Sequence, residues 1–189
     1  MAYFLPTTPK PAKLAAVPNR SMFCFRPVSK HGMLLTMALT EDIYDEARVA
    51  ARLCRGVRRL LWSQRYATLT EFPLANGRRA DVFGVTDGSD IVIVEIKSSV
   101  VDFRTDQKWP EYRAYCDAYY FAVGEDFPHE LIPDHCGLIV GDGFGAAVVR
   151  PSGIEKLAGA RRKSLIHSFG QLAAARLHRL EDPMLGNTL

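Results

Sequence analysis

The sequence predicts a mixed α/β fold, an α+β arrangement in which helices flank one mixed sheet. Apolar residues recur at spacings of three and four from Ile43 to Leu61, which is the period of a helix. Three strand-like runs follow in quick succession, separated by Asn76-Gly77 and Asp87-Gly88 turn pairs. A second group of short apolar runs then precedes a closing amphipathic stretch, so helices and strands interleave. The 189 residues, 48% of them hydrophobic, suffice for one domain with an ordinary core, and 24% charged residues with 10% aromatics exclude global disorder.

The net charge of +3 is too small for a polybasic protein, but its distribution is uneven. Residues 1–37 carry Lys10, Lys13, Arg20, Arg26 and Lys30 and no acid, together with Pro6, Pro9, Pro11, Pro18 and Pro27. Prolines at that density deny the segment long helices and central strands, so residues 1–37 read as a disordered basic arm. A transit peptide, or a natural product beginning at Met33 or Met37, are the competing readings of the arm. The folded domain is placed at residues 38–182, with residues 183–189 as a flexible tail. Cys24, Cys54, Cys116 and Cys136 are scattered without a CxxC, which indicates neither a disulfide framework nor a zinc site and favours a reducing cytoplasm.

Thr40, followed by Glu41, Asp42 and Asp45, reads as a capped helix start, and the apolar stripe carries that helix to about Gln64. Arg48, Arg52, Arg55 and Arg59 repeat on its solvated back, and Glu46 sits at the border of the stripe. Strands are expected at Ala67 to Leu74, Arg79 to Val85 and Ile91 to Ile96. Asp102 to Asp117 is helical, with Pro110 either in a first turn or dividing it into two shorter pieces. Ala118 to Val123 is an apolar strand buried on both faces. Gly137 to Val140 and Ala146 to Val149 make a hairpin around a glycine-rich turn, and Leu165 to Leu180 is the final helix.

The chemistry concentrates at the end of the third strand. Glu95 and Lys97 fall on one face by the two-residue period, and two charges at the end of an apolar strand must be paired or bind an ion. If the second and third strands pair around Asp87-Gly88, Asp81 lies beside Glu95. Two facing carboxylates share a proton or a divalent cation, and hard oxygen ligands point to Mg²⁺ or Mn²⁺.

Asp81 followed by Glu95-Ile96-Lys97, after a helix and a strand, resembles the PD-(D/E)XK nuclease core, with its restriction-endonuclease-like αβββαβ order. The fuller stretch runs from Glu71 through Arg78-Arg79-Ala80-Asp81 and Glu95-Ile96-Lys97-Ser98-Ser99 to Asp102 through Trp109 and Tyr112. It more closely resembles the MmcB family of bacterial DNA-repair proteins, over roughly residues 40 to 180. Ala80 departs from the superfamily, which carries Pro before the Asp.

The resemblance implies Mg²⁺- or Mn²⁺-dependent hydrolysis of phosphodiesters in damaged or structured DNA. In that scheme Asp81 and Glu95 ligate the metal, with the Ile96 carbonyl as a third ligand, and Lys97 orients the attacking water. Glu46 matches an acid on the first helix, and Glu71 competes for the same outer role. Gln107, Lys108 and Tyr112 support the site or touch phosphate, and Arg79 contacts DNA. Arg161, Arg162 and Lys163 close a basic stretch with Arg150 and Lys156, read either as a DNA footprint or as a solvated loop. The implied partners are DNA and other repair proteins, in the nucleoid-associated cytoplasm. A non-catalytic DNA- or protein-binding module of a repair complex is the alternative.

Weaker constellations resolve structurally. Gly141 to Gly145 reads as a turn rather than a dinucleotide fingerprint, His129, Asp134, His135 and Cys136 as an ordinary loop, and Trp62 and Trp109 as packing residues. Ser98 and Ser99 lack the partners of a hydrolase nucleophile.

Overall fold

The structure is a computed structural model that describes residues 30–185. The first helix, α1, spans Lys30–Ser63. Thr40 is therefore an interior residue and not the expected cap. A hydroxyl followed by acids caps a helix only where the preceding backbone leaves it, and no proline or turn pair lies between Pro27 and Thr40. Residues 1–29 of the arm lie outside the described residues, whereas residues 30–37 are helical. In the tail, Pro183–Leu185 form a short 3-10 turn, and residues 186–189 lie outside the described residues.

Six strands follow: β1 (Ala67–Pro73), β2 (Arg79–Val85), β3 (Ile91–Lys97), β4 (Ala118–Val123), β5 (Gly137–Gly141) and β6 (Ala146–Arg150). They form one sheet in sequence order, antiparallel from β1 to β3, parallel from β3 to β5 and antiparallel again at β5–β6. The parallel step from β3 to β4 needs a crossover. It is made by α2 (Val100–Thr105) and a 3-10 helix, Trp109–Tyr115, with Pro110 in the latter's first turn, so the division into two shorter pieces is what forms. The last helix, α3, spans Gly159–Glu181 and takes in Arg161 to Lys163 at its start.

β3 is buried along its whole length, and its alternation separates two cores. Val92, Val94 and Ile96 face α1, where they meet Leu53, Val57 and Leu61. Ile91 and Ile93 face the other side with Phe83, Tyr119 and Phe121, covered by Phe103 of α2, Trp109 and Tyr112 of the 3-10 helix, and Leu165 and Phe169 of α3. The result is three layers, helix on sheet on helices. Glu95 and Lys97 continue the odd-numbered side of β3, beneath the 3-10 helix.

α1 approaches the β5–β6 hairpin closely at one point. A Cβ on Gly56 would stand 2.3 Å from the Asp142 carbonyl oxygen and 2.5 Å from that of Gly145. Arg59 reinforces the contact by donating to the Phe144 carbonyl at 2.8 Å. The glycine-rich segment is thus a turn, held by Asp142 Oδ1 accepting from the Phe144 and Gly145 N–H groups. Trp109 packs against Tyr119 and Phe121 as expected. Trp62 does not pack: it is 74% exposed, one position past Leu61 and off the apolar stripe.

Candidate functional site

The β2–β3 ladder runs from Val85–Ile91 to Val82–Val94 and stops. Beyond it β2 stays with β1 as far as Arg79, while β3 stays with β4 as far as Lys97, so the sheet parts between them. The next facing residues are Asp81 and Glu95, and their carboxylates fill the gap left by the missing backbone bonds. Asp81 Oδ2 accepts from the Ile96 N–H at 2.8 Å, and Glu95 Oε1 accepts from the Asp81 N–H at 3.2 Å. Each carboxylate keeps its other oxygen outside the hydrogen bonds formed among the described residues.

Glu95 is buried and Asp81 half-buried. Burial pushes the Glu95 carboxyl up to about 8, with the neighbouring Asp81 charge adding to the effect and Lys97 opposing it. Asp81 is also raised, by burial first, against the hydrogen bond from Ile96 and the charge of Lys97. Two buried acids facing each other at neutral pH are relieved by a proton or by a cation.

Lys97 is buried as well, but its ammonium does not close on either acid. Its Nζ donates to Asp106 Oδ2 at 2.6 Å. Asp106 follows α2 directly, where its N–H donates to the Asp102 carbonyl and its Oδ1 accepts from the Lys108 N–H at 2.9 Å. Burial raises the Asp106 carboxyl, but the hydrogen bonds and charges of Lys97 and Lys108 outweigh it and hold the group below its ordinary value. α2 is fixed at its start by Ser99, whose hydroxyl accepts from the Asp102 N–H, while the Asp102 carboxylate accepts from Ser98 N–H and Oγ. Ser99 is therefore the cap of α2, and Ser98 is tied to the Asp102 carboxylate. Asp106 lies in the stretch that carries the family resemblance, but its pairing with Lys97 is not legible in the sequence, because the partner is nine residues away and is reached only after the chain has turned.

Above the acids lies a cleft of about 480 Å³ between the β1–β2 turn and the 3-10 helix, lined by Arg78, Arg79, Asp81, Lys108 and Tyr112 among others. Tyr112 donates to the Arg79 carbonyl at 3.2 Å, and burial, then the charges of Glu95, Asp81 and Asp106, raise its phenol well above the usual value. Arg78 makes a two-point contact with Glu111 at 2.8 and 3.0 Å, and Arg79 pairs with Glu71. Asp81, Arg79, Lys108 and Tyr112 thus meet at one opening, whereas Glu95 and Lys97 are buried and do not line it; Glu95 reaches this region through its bond to the Asp81 N–H. Arg78 also lines this opening, where the sequence alone gives it no role.

Other expected residues stand apart. Glu71, in the left-handed region at φ 52°, adds its charge to Asp81 but turns to Arg79. Glu46 is exposed on α1, and the charges acting on the two acids come from Lys97, Glu71, Asp102 and Asp106. Gln107 is exposed and folds back to the Arg104 carbonyl at 2.9 Å, capping α2 rather than facing the cleft.

Several side chains of the basic stretch are engaged within the fold. Arg162 holds Asp117 through two bonds of 2.6 and 2.7 Å, inside a buried network in which Asp117 also accepts from the Ile91 and Leu157 N–H groups. Arg150 secures the loop before β5, donating to the Ile132, Pro133 and Cys136 carbonyls, and Lys156 pairs with Asp90. Arg161 lies over the Tyr115 ring and donates to the Ala114 carbonyl. Their acceptors are distant in sequence, so a run of cations could not reveal them. Asp117 anchors Ile91 and Asp81 anchors Ile96; five residues of strand put the two sites roughly 17 Å apart.

Among the described residues no group of three or more His, Cys, Asp or Glu is placed to hold a metal. Two carboxylates with one uncommitted oxygen each still fit Mg²⁺, which is commonly held by one or two carboxylates and keeps several waters. No helix among the described residues is long and apolar enough to cross a membrane.

A family model described as DNA repair protein MmcB-like matches residues 39–184. No curated protein matches the sequence. Among solved structures, a protein of unknown function from Silicibacter pomeroyi is similar at 42% identity and a TM-score of 0.71, covering 74% of this chain and 96% of that one.

Proposed function

This chain belongs to the MmcB-like DNA repair protein family, and from that premise we propose that it acts on DNA in repair as a Mg²⁺- or Mn²⁺-dependent nuclease. The observation that carries the reading is the parted β2–β3 ladder, where Asp81 and Glu95 face each other and Asp81 lines a cleft edged by Arg78, Arg79 and Lys108. Asp81 and Glu95 would hold the cation, with the Ile96 carbonyl as the third protein donor. A divalent ion bound there supplies a polarised phosphate and a water of lowered pKa.

The chain's own residues do the rest. Arg79 and Lys108 attract the phosphate backbone to the cleft mouth, and the buried charge of Lys97, which acts on both Asp81 and Glu95, would stabilise negative charge growing on phosphorus. The exposed ion pair between Arg79 and Glu71 is weak enough for a phosphate to displace the carboxylate. Tyr112 fixes the wall of the cleft through its bond to the Arg79 backbone.

One observation favours a second reading, a DNA- or protein-binding module without turnover: Lys97 is buried and already engaged by Asp106. The purified chain assayed on single-stranded, nicked and branched DNA with Mg²⁺ or Mn²⁺ separates the two. The nuclease reading expects cleavage that Asp81→Ala and Glu95→Ala each abolish. DNA binding that persists in chelator and in Asp81→Ala, without cleavage by the wild type, establishes the module instead.

A further inference from the structure

We propose that Asp106 is a positioning residue that keeps the Asp81–Glu95 pair open to a cation by holding the Lys97 ammonium away from it, a role that rests on the metal-binding reading above. Glu95 and Lys97 share one side of β3, and Lys97 is the positive charge that acts on both acids. A buried ammonium beside one buried and one half-buried carboxylate would be expected to pair with them, since an uncompensated charge in that setting is strongly unfavourable. Such a pairing would close the site from within. Instead the ammonium is bound to Asp106 at 2.6 Å, and among the described residues it makes no ion pair with Asp81 or Glu95.

The competing carboxylate is held by the backbone around it. Asp106 donates its N–H to the Asp102 carbonyl and accepts from the Lys108 N–H, and α2 behind it is pinned by the Ser98, Ser99 and Asp102 bonds. Asp106 therefore meets Lys97 at a fixed place, unlike a long acid on a mobile surface. With the ammonium fixed there, Asp81 and Glu95 each retain an oxygen for a cation. Neutralising Asp106 would release Lys97 toward Asp81 and Glu95, the two acids on which its charge already acts.

Mn²⁺ binding to the full chain, measured by calorimetry in the absence of DNA, tests this without reference to catalysis. The wild type should bind, and Asp106→Asn should weaken binding about 10- to 100-fold, the range seen when residues that support metal ligands are altered. Asp106→Glu, which keeps the charge, should retain most of the affinity. The decisive variant is Lys97→Met with Asp106→Asn, which removes the competing ammonium together with its partner and should bind nearly as well as the wild type. Because it removes the Lys97 ammonium together with its partner and leaves no buried cation unpaired, the double variant also carries the test if Asp106→Asn alone fails to fold. Equal binding by wild type and Asp106→Asn overturns the proposal alone, and so does loss of binding in the double variant, which would make Asp106 a scaffold or a ligand. A wild type that binds no Mn²⁺ overturns the metal-binding reading itself.

Discussion

Glu95 is a buried acid facing a second acid. Its carboxyl, ordinarily near 4.5, is raised to about 8 by burial and by Asp81. Between those values the folded protein holds a proton that the unfolded chain releases, so metal-free protein loses stability as pH rises through that window. Thermal melts in EDTA should therefore fall from pH 5 to pH 8, Glu95→Gln should flatten the fall, and added Mn²⁺ should raise the wild-type Tm more at pH 8 than at pH 6. Asp117 shows the opposite sign. Burial pushes it up, but the bonds from Arg162, Ile91 and Leu157 outweigh that and hold it at about 2. Its contribution is complete above about pH 4 and is lost as pH falls toward 2. Asp117→Asn leaves the Arg162 guanidinium without its partner and should destabilise the protein by about 3–5 kcal/mol in urea titrations at pH 7. Asp81, Glu95 and Lys97 are legible in the sequence because strand alternation and a turn pair fix their side and their distance. Asp117 and the true role of Arg162 are not, because their contact joins residues 45 positions apart.

Among the elements, the strands read most clearly and the ends of the helices least. β2 and β4 have the bounds that the sequence predicts, β2 from its β-rich run closed by the Asp87-Gly88 turn and β4 from an unbroken apolar run that suits burial on both faces. The start of α1 is hidden because polar residues that suit a cap are also tolerated inside a long helix. The docking of α1 depends on Gly56 as well as on its apolar contacts. Alanine there would bring its Cβ against two backbone carbonyls that cannot rotate away, and the helix or the hairpin must move. Despite alanine's better helix propensity, Gly56→Ala should destabilise by about 1–3 kcal/mol in denaturant titration. Arg55→Ala, at the exposed position next to it on the same helix, is the matching control and should change stability by no more than about 0.5 kcal/mol.

For the whole molecule, the sign of the field near the acids decides how DNA approaches. The run of cations from Arg161 to Lys163 suggests a DNA footprint in the sequence, but that end of the sheet holds the Asp117 network, and the cations beside Asp81 are Arg78, Arg79 and Lys108. Binding of single-stranded DNA, measured by fluorescence anisotropy across salt concentrations, should separate the two surfaces. Replacing both Arg79 and Lys108 by Ala should reduce the log–log salt slope by about 1.4, since each phosphate contact contributes about 0.7 on a single strand. Lys163→Ala should leave the slope unchanged.

The burial of β3 along its entire length also limits how this lineage can vary. Its side chains alternate between two separate cores, and backbone groups at Ile91 and Ile96 are each tied to a carboxylate from elsewhere. Inserting or deleting one residue between those anchors would exchange the two cores and turn Glu95 toward α1. Length differences among descendants of a common ancestor should therefore collect at the turns around Asn76 and Asp87. A set of related sequences in which gaps fall as often within Ile91–Lys97 as in those turns would contradict this.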